Sequence, residues 1–283
     1  MFPAAADHLI TSFSPRGLRE AYPNVLELNI SGHLLAEWVE VFSCAASFPK
    51  LRTLCASRCR CELGSFSSQG DPAVLLPELT FLILNDCGFT DWREIDALHA
   101  QGLFPSLSEL QLQQNGMVAF CSSKRWEGLS ALDISRNLLA DWGQVIQQLC
   151  AQFPDLTRLV LSHNALTDGL TQVPDIMDIS LGKLTQLSLD HCQVRDWATV
   201  YTLGVVFPNL QSLRFGFNPL TEAVGSVVAR HLTIVMMPAL TKLNGSDFSS
   251  EDRSESEKFF LQWFQTALKS ASITFSFSSS SSS

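Results

Sequence analysis

Basic residues are in deficit: 19 Lys and Arg stand against 28 Asp and Glu, for a formal net charge of −9. A nucleic-acid partner needs a basic face to neutralise phosphates, so direct nucleic-acid binding is not expected. No run of 18 or more uncharged apolar residues occurs, so neither a transmembrane helix nor a membrane partner is expected. Met1 to Ile10 has neither the basic segment nor the apolar core of a signal peptide, and arginine is sparse there. These features give the expectation of a cytoplasmic protein. A Walker-type Gly-x-x-x-x-Gly-Lys-Ser/Thr loop is also missing, so nucleotide hydrolysis by this chain has no support.

What is present is a repeated phrase. Phe104-Pro105 is followed by Leu107, Leu110, Leu112, Asn115 and Met117, and Phe153-Pro154 by Leu156, Leu159, Leu161, Asn164 and Leu166. Leu-x-x-Leu-x-Leu-x-x-Asn/Cys-x-Leu is the signature of a leucine-rich repeat, in which each coil of a solenoid has one short strand and one return segment. Copies begin at Val25, Leu51, Leu79, Leu107, Leu129, Leu156, Leu184 and Leu210, in steps of 22 to 28 residues. A ninth, degenerate copy begins at Leu240 and Leu243 and runs into a polar helix. The fold class is therefore α/β: a curved parallel sheet on the concave side, with a convex side that alternates short helices and irregular segments. Residues 18–248 form the repeat domain and 249–268 a capping helix. Residues 1–17 are an N-terminal flank, and 269–283 are a Ser-rich tail too polar to build a core, expected to be disordered.

Within a copy, Leu110 and Leu112 point to one side of the strand, so Glu109, Gln111 and Gln113 point to the other. The Asn or Cys position lies where the chain turns inward, and a compact polar side chain there can pair turn groups that would otherwise be buried alone. Asn115, Asn137, Asn164 and Asn218 fill it, as do Cys59, Cys87 and Cys192, with His33 in the first copy. A second period marks odd copies only: Glu37-Trp38, Asp91-Trp92, Asp141-Trp142 and Asp196-Trp197. Each acidic residue is placed to cap a short helix. Even copies carry irregular returns, such as Gly64 to Asp71. Recurrence of the tryptophans in register favours packing over an exposed aromatic strip.

Apparent chemical clusters dissolve against this template. Cys55 faces the concave side while Cys59 and Cys61 turn inward, so no metal site is expected, and no second cysteine knuckle follows. Of the eight cysteines, three fall at the ladder position and Cys44 and Cys150 lie in returns, so the thiols read as reduced and structural. Ser162-His163 and Asp190-His191 lack a geometry that would make a triad. No enzyme activity and no cofactor are expected.

Outward strand positions are the candidate protein-binding residues: Glu27, Asn29, Phe81, Ile83, Asn85, Glu109, Gln111, Gln113, Asp133, Arg158, Val160, Gln186, Asp190 and Arg214. A solvated sheet face accounts for the polar members. Phe81 and Ile83, extended by Val160, depart from it, and an apolar patch rimmed by polar groups marks an interface.

The segments Leu18 to Val25 and Leu34 to Val41 resemble the opening repeat of tubulin-specific chaperone E, also called tubulin-folding cofactor E. Leu84-Asn85-Asp86-Cys87-Gly88-Phe89-Thr90 is similar to an internal phrase of that family. Phe217-Asn218-Pro219-Leu220, Ala229-Arg230, Leu243-Asn244 and Glu251-Asp252-Arg253 are similar to its closing repeats and cap. The resemblance covers residues 18 to 264. The CAP-Gly and ubiquitin-like modules the family carries elsewhere have no counterpart in these residues. The resemblance implies a non-catalytic, cytoskeleton-associated monomer that binds α-tubulin, alongside other tubulin-folding cofactors, in heterodimer assembly and disassembly. Two other readings stay open: a general leucine-rich adaptor of the phosphatase-regulator type, and a small-ribonucleoprotein adaptor.

Overall fold

The computed structural model describes residues 18–62, 75–173, 175–176 and 179–278. The return Gly64 to Asp71, the start Met1 to Ile10 and the last five serines lie outside the described residues.

After a single turn of helix, α1 (Leu18–Ala21), the chain lays down three-residue strands of the form x-Leu-x: β1 (Glu27–Asn29), β2 (Thr53–Cys55), β3 (Phe81–Ile83), β4 (Glu109–Gln111), β5 (Ala131–Asp133), β6 (Arg158–Val160), β7 (Gln186–Ser188) and β8 (Ser212–Arg214). A short β9 (Lys242–Leu243) comes next, then β10 (Ser246–Asp247). They form one sheet in strict chain order, parallel from β1 to β9 and closed by the antiparallel β9–β10 hairpin. Register is carried by the central leucines, with Leu28, Leu54, Leu82, Leu110, Leu132, Leu159, Leu187, Leu213 and Leu243 level with one another. A slip of one residue would turn each buried leucine to the opposite face, which is why the register is unique.

The return segments of odd copies are helical: α2 (Trp38–Ala45), α3 (Trp92–Ala100), α4 (Trp142–Gln152) and α5 (Trp197–Val206). The aspartates cap as expected. Asp91 accepts from Arg93 N–H at 2.9 Å, Asp141 from Gln144 at 3.2 Å and Asp196 from Thr199 at 2.6 Å. At α2 the task passes to Glu40, whose carboxylate accepts from Ala36 N–H at 3.0 Å. The longer glutamate reaches back one turn, as in a capping box. Trp38, Trp92 and Trp142 are buried and Trp197 is half-buried against the core, so the tryptophans pack. Trp38 stacks on Phe89 of a later copy at 5.2 Å, and Trp92 meets Phe120 edge-on at 4.8 Å.

The alternation breaks at the eighth copy. Its return holds two helices, α6 (Pro219–Val224) and α7 (Ser226–Met236), instead of an irregular segment. Pro219 at the first helical position is pre-set for helix, and Gly225 at φ +81° allows the sharp bend between the two. The second helix serves as a seat for α8 (Ser250–Ser278), which packs on α7 and closes the apolar end of the solenoid. Arg253 on α8 donates to the carbonyl of Ile234 in the last turn of α7 and to that of Leu240 in the turn beyond it, both at 2.7 Å. α8 runs to Ser278, ten residues past the boundary expected at 268, into what was expected to be a disordered tail. Serine is tolerated in a helix once a nucleus exists, and here the earlier turns are anchored on α7.

Candidate binding face

The inner-turn ladder works through both its residue types. Asn137 Oδ1 accepts from the N–H groups of Asn115 and Met117, each at 3.0 Å, and its Nδ2 donates to Leu112 and Ile134 carbonyls at 3.0 and 2.9 Å. Asn115, Asn164 and Asn218 repeat this, each reaching the strand before. The Cys87 thiol donates to Ala56 at 3.2 Å and Cys192 to Leu161 at 3.6 Å, in place of the amide. His33 accepts from Leu35 N–H through Nδ1 at 3.0 Å. A thiol can donate inward but is a poor acceptor, so cysteine does half of what asparagine does.

Burial pushes these thiols up, Cys87 and Cys61 to about 12 and Cys192 to about 11, so they stay protonated. Cys55 lies on the concave side, 3.1 Å from the Ser31 hydroxyl, whereas Cys59 and Cys61 donate to separate backbone carbonyls. Among the described residues no group of three or more His, Cys, Asp or Glu is placed to hold a metal.

On the concave face the outward residues stand in three rows. The first contains Glu27, Thr53, Phe81, Glu109, Ala131, Arg158, Gln186 and Ser212, and the second Asn29, Cys55, Ile83, Gln111, Asp133, Val160, Ser188 and Arg214. Asn85, Gln113 and Asp190 come after the strands in a third row. Much of this polar face is committed internally. Asn85 Oδ1 accepts from Gln113 N–H at 2.8 Å, Gln113 Nε2 donates to Asp133 at 2.7 Å, and Asp190 accepts from Gly216 N–H at 2.6 Å. Arg158 is likewise not free: its guanidinium pairs with Glu109 at 2.5 Å, reaching over the small side chain of Ala131 on the strand between.

Phe81 and Ile83 are half-buried neighbours on β3. Val160 does not extend their row, because Gln111 and Asp133 stand between it and Ile83. The expected contiguous apolar patch is therefore interrupted. Phe81 and Val160 instead line one shallow hollow of about 50 Å³, with Glu109 and Arg158 also lining it. Glu27, Asn29, Gln186 and Arg214 are exposed on the flanks.

Ser162 and Asp190 do not meet the histidines beside them. The Ser162 hydroxyl lies 2.9 Å from that of Ser188 and accepts from Asp190 N–H, while His163 and His191 stack ring on ring at 4.3 Å. That stack continues onto Phe217 at 4.3 Å and 5°. All three residues have φ of +55° to +58°, as do their counterparts Arg58, Gln114 and Arg136 within a degree or so. The left-handed turn before each ladder residue puts these side chains in a column along the rim. Its signal was readable: His, His and Phe occupy the same template position in three consecutive copies.

Also missed was Asp96 on α3, which is 3% exposed and organises the irregular fourth return. It accepts from the indole N–H groups of Trp92 and Trp126 and from the Ser122 hydroxyl at 3.1, 3.3 and 2.7 Å.

Nine parallel strands in register, an inward Asn/Cys ladder and helical returns define a leucine-rich-repeat solenoid. By shape it is similar to human 5T4, or trophoblast glycoprotein, with a TM-score of 0.54 over 76% of this chain and 77% of that one, at 20% identity. No family model matches. By sequence its homologues carry tubulin-cofactor names. It is 30% identical over 263 residues to human tubulin-specific chaperone E, 29% over 250 to the human tubulin-specific chaperone cofactor E-like protein, and 26% over 260 to tubulin-folding cofactor E of Arabidopsis thaliana. These alignments take in 90%, 85% and 88% of this chain, which spans about half of each relative, namely 47%, 55% and 47%.

Proposed function

We propose that this chain is a non-catalytic, cofactor E-like tubulin chaperone. It binds α-tubulin through its concave face and acts with other tubulin-folding cofactors in heterodimer assembly and disassembly, as a cytoplasmic, cytoskeleton-associated monomer. The observation that carries this reading is similarity over almost nine-tenths of the chain to proteins named as tubulin-folding cofactors or tubulin-specific chaperones. The concave geometry supports it: half-buried Phe81 and Ile83 stand where the repeat asks for no apolar side chain, beside polar groups already held in place. A preordered polar face loses little side-chain freedom on binding. Preferential binding to one assembly state would shift that equilibrium without chemistry.

Tubulin is acidic, as is this chain, so long-range charge does not steer the encounter and short-range fit must carry it. Size-exclusion co-elution with purified tubulin tests the reading. Phe81→Asp combined with Arg158→Glu should abolish co-elution, whereas convex changes at Arg93 or Gln147 should not. The lost ion pair is a half-exposed one worth about 1 kcal/mol or less, so folding should survive and circular dichroism can check it. Co-elution that persists in the double variant, or none with the unaltered chain, defeats the concave-face assignment.

A further inference from the structure

The second helix of the eighth return leaves a cavity at the C-terminal end of the solenoid. It has a volume of about 670 Å³ and lies between the turn after β8, the helices α6 and α7, and the β9 turn. That size is within the range of sites that hold a small ligand or a few residues of peptide. Three of its lining residues bear on what it could hold.

Two are arginines. Arg214 projects from the outward side of β8, and Arg230 lies on α7 with its guanidinium 5.6 Å from the Phe248 ring. The six ion pairs found among the described residues use Arg60, Arg93, Arg125, Arg158, Lys183 and Lys242 and include neither. Two guanidiniums outside these ion pairs thus line one cavity in a chain of net charge −9. The Asp252 carboxyl, held low chiefly by its hydrogen bonds from Ser249, also feels the charge of Arg230. The lining also holds two carboxylates, Asp190, which accepts from Gly216 N–H at 2.6 Å, and Glu222, exposed on α6, but neither forms an ion pair with the arginines.

The third is Phe217, which is 64% exposed despite its size. One ring face is committed to His191, itself stacked on His163, so the ring is held from behind. The exposed remainder lines the cavity. An aromatic wall already fixed in place takes an apolar group at low entropic cost.

We propose that this cavity is an anchoring site for an extended acidic peptide segment of a partner protein. Arg214 and Arg230 would receive a carboxylate side chain, and Phe217 a neighbouring aliphatic or aromatic one. Guanidiniums match carboxylates in shape as well as charge, and the apolar surroundings strengthen the pairing over one in open water. The site is distinct from the Phe81 hollow and does not depend on which protein supplies the segment.

Fluorescence anisotropy on the full chain tests this with a labelled acetyl-Glu-Leu-Glu-Phe-Glu-Leu-amide and its counterpart bearing Gln for Glu. The acidic peptide should bind, more weakly as salt rises, and the Gln peptide should bind roughly fivefold or more weaker, the scale of one or two partly exposed ion pairs. Arg214→Gln and Arg230→Gln should each weaken only the acidic peptide. Glu222→Gln should tighten it. Ser226→Trp, an exposed lining position, should block both peptides while leaving the circular dichroism of the fold unchanged. Equal binding of the two peptides, binding indifferent to both arginines or to Ser226→Trp, displacement by millimolar phosphate alone, or no binding by the unaltered chain would each overturn the proposal.

Discussion

The carboxylate of Asp96 on α3 accepts a hydrogen bond at 3.3 Å from the indole of Trp126, thirty residues later in the chain. It also holds Trp92, Ser122 and the Ser123 N–H, so one buried polar side chain organises the return that lacks a helix. Asp96→Ala leaves the buried Trp92 indole without an acceptor, at about 1–3 kcal/mol, while Trp126 and Ser122 keep their bonds to Ser122 Oγ and the Lys124 carbonyl. Urea unfolding should show a loss of about 1–3 kcal/mol, the cost of one buried unpaired donor. A loss under about 1 kcal/mol would mean that water substitutes for the carboxylate.

Asn137 allows the ladder to be dissected. Asn137→Ala removes acceptor and donors together and should cost about 1–3 kcal/mol. Asn137→Cys retains inward donation, as at Cys87, but gives up acceptance from Asn115 and Met117, so its cost should fall between alanine and the parent. If alanine and cysteine unfold at the same denaturant concentration, donation to the preceding strand contributes nothing.

Thiol chemistry should follow burial. Burial raises all four thiols, so access decides: at pH 8 iodoacetamide should modify exposed Cys150 well before buried Cys59, Cys87 or Cys192. Mass spectrometry of partly alkylated protein reads this directly. Neither chelator nor reductant should move the melting temperature, and a drop of several degrees with chelator would reveal a metal.

Acid sensitivity should arise near neutrality. Burial holds the pKa of His33 and of His99 below the ordinary 6.5, so the unfolded chain takes up protons that the folded chain refuses. Their contribution to stability is full above pH 6.5 and is lost as pH falls below it. The melting temperature should therefore decline between pH 7 and 5. His33→Asn, the ladder residue of other copies, should flatten part of that decline while keeping the acceptor for Leu35 N–H. An unchanged slope would show that His33 titrates alike in both states.

Much of this molecule can be read along the chain. The strands, their register, the ladder and the Trp-led helices of the odd copies all derive from a template in which each residue's environment is set by its place in the repeat. Leu110 is buried and Glu109 is not because the strand alternates, and Asn115 and Cys87 turn inward because an unpaired turn would be costly in every copy. Features that depend on two distant residues meeting are not legible. Arg158 reads only as an outward candidate binding residue, because nothing nearby announces that Ala131 is small enough for Glu109 to reach across. Asp96 looks like an ordinary polar position in a helix, and its partners lie in a segment with no period of its own.

Local periodicity thus determined the coil and which face each side chain takes, since every coil must bury the same leucines against its neighbours. The tertiary structure decided what happens where that demand changes. At the last coil no further repeat arrives to cover the apolar edge, so α7 and α8 do so. The bend at Gly225 that admits them is also where the cavity beside Arg214, Phe217 and Arg230 opens.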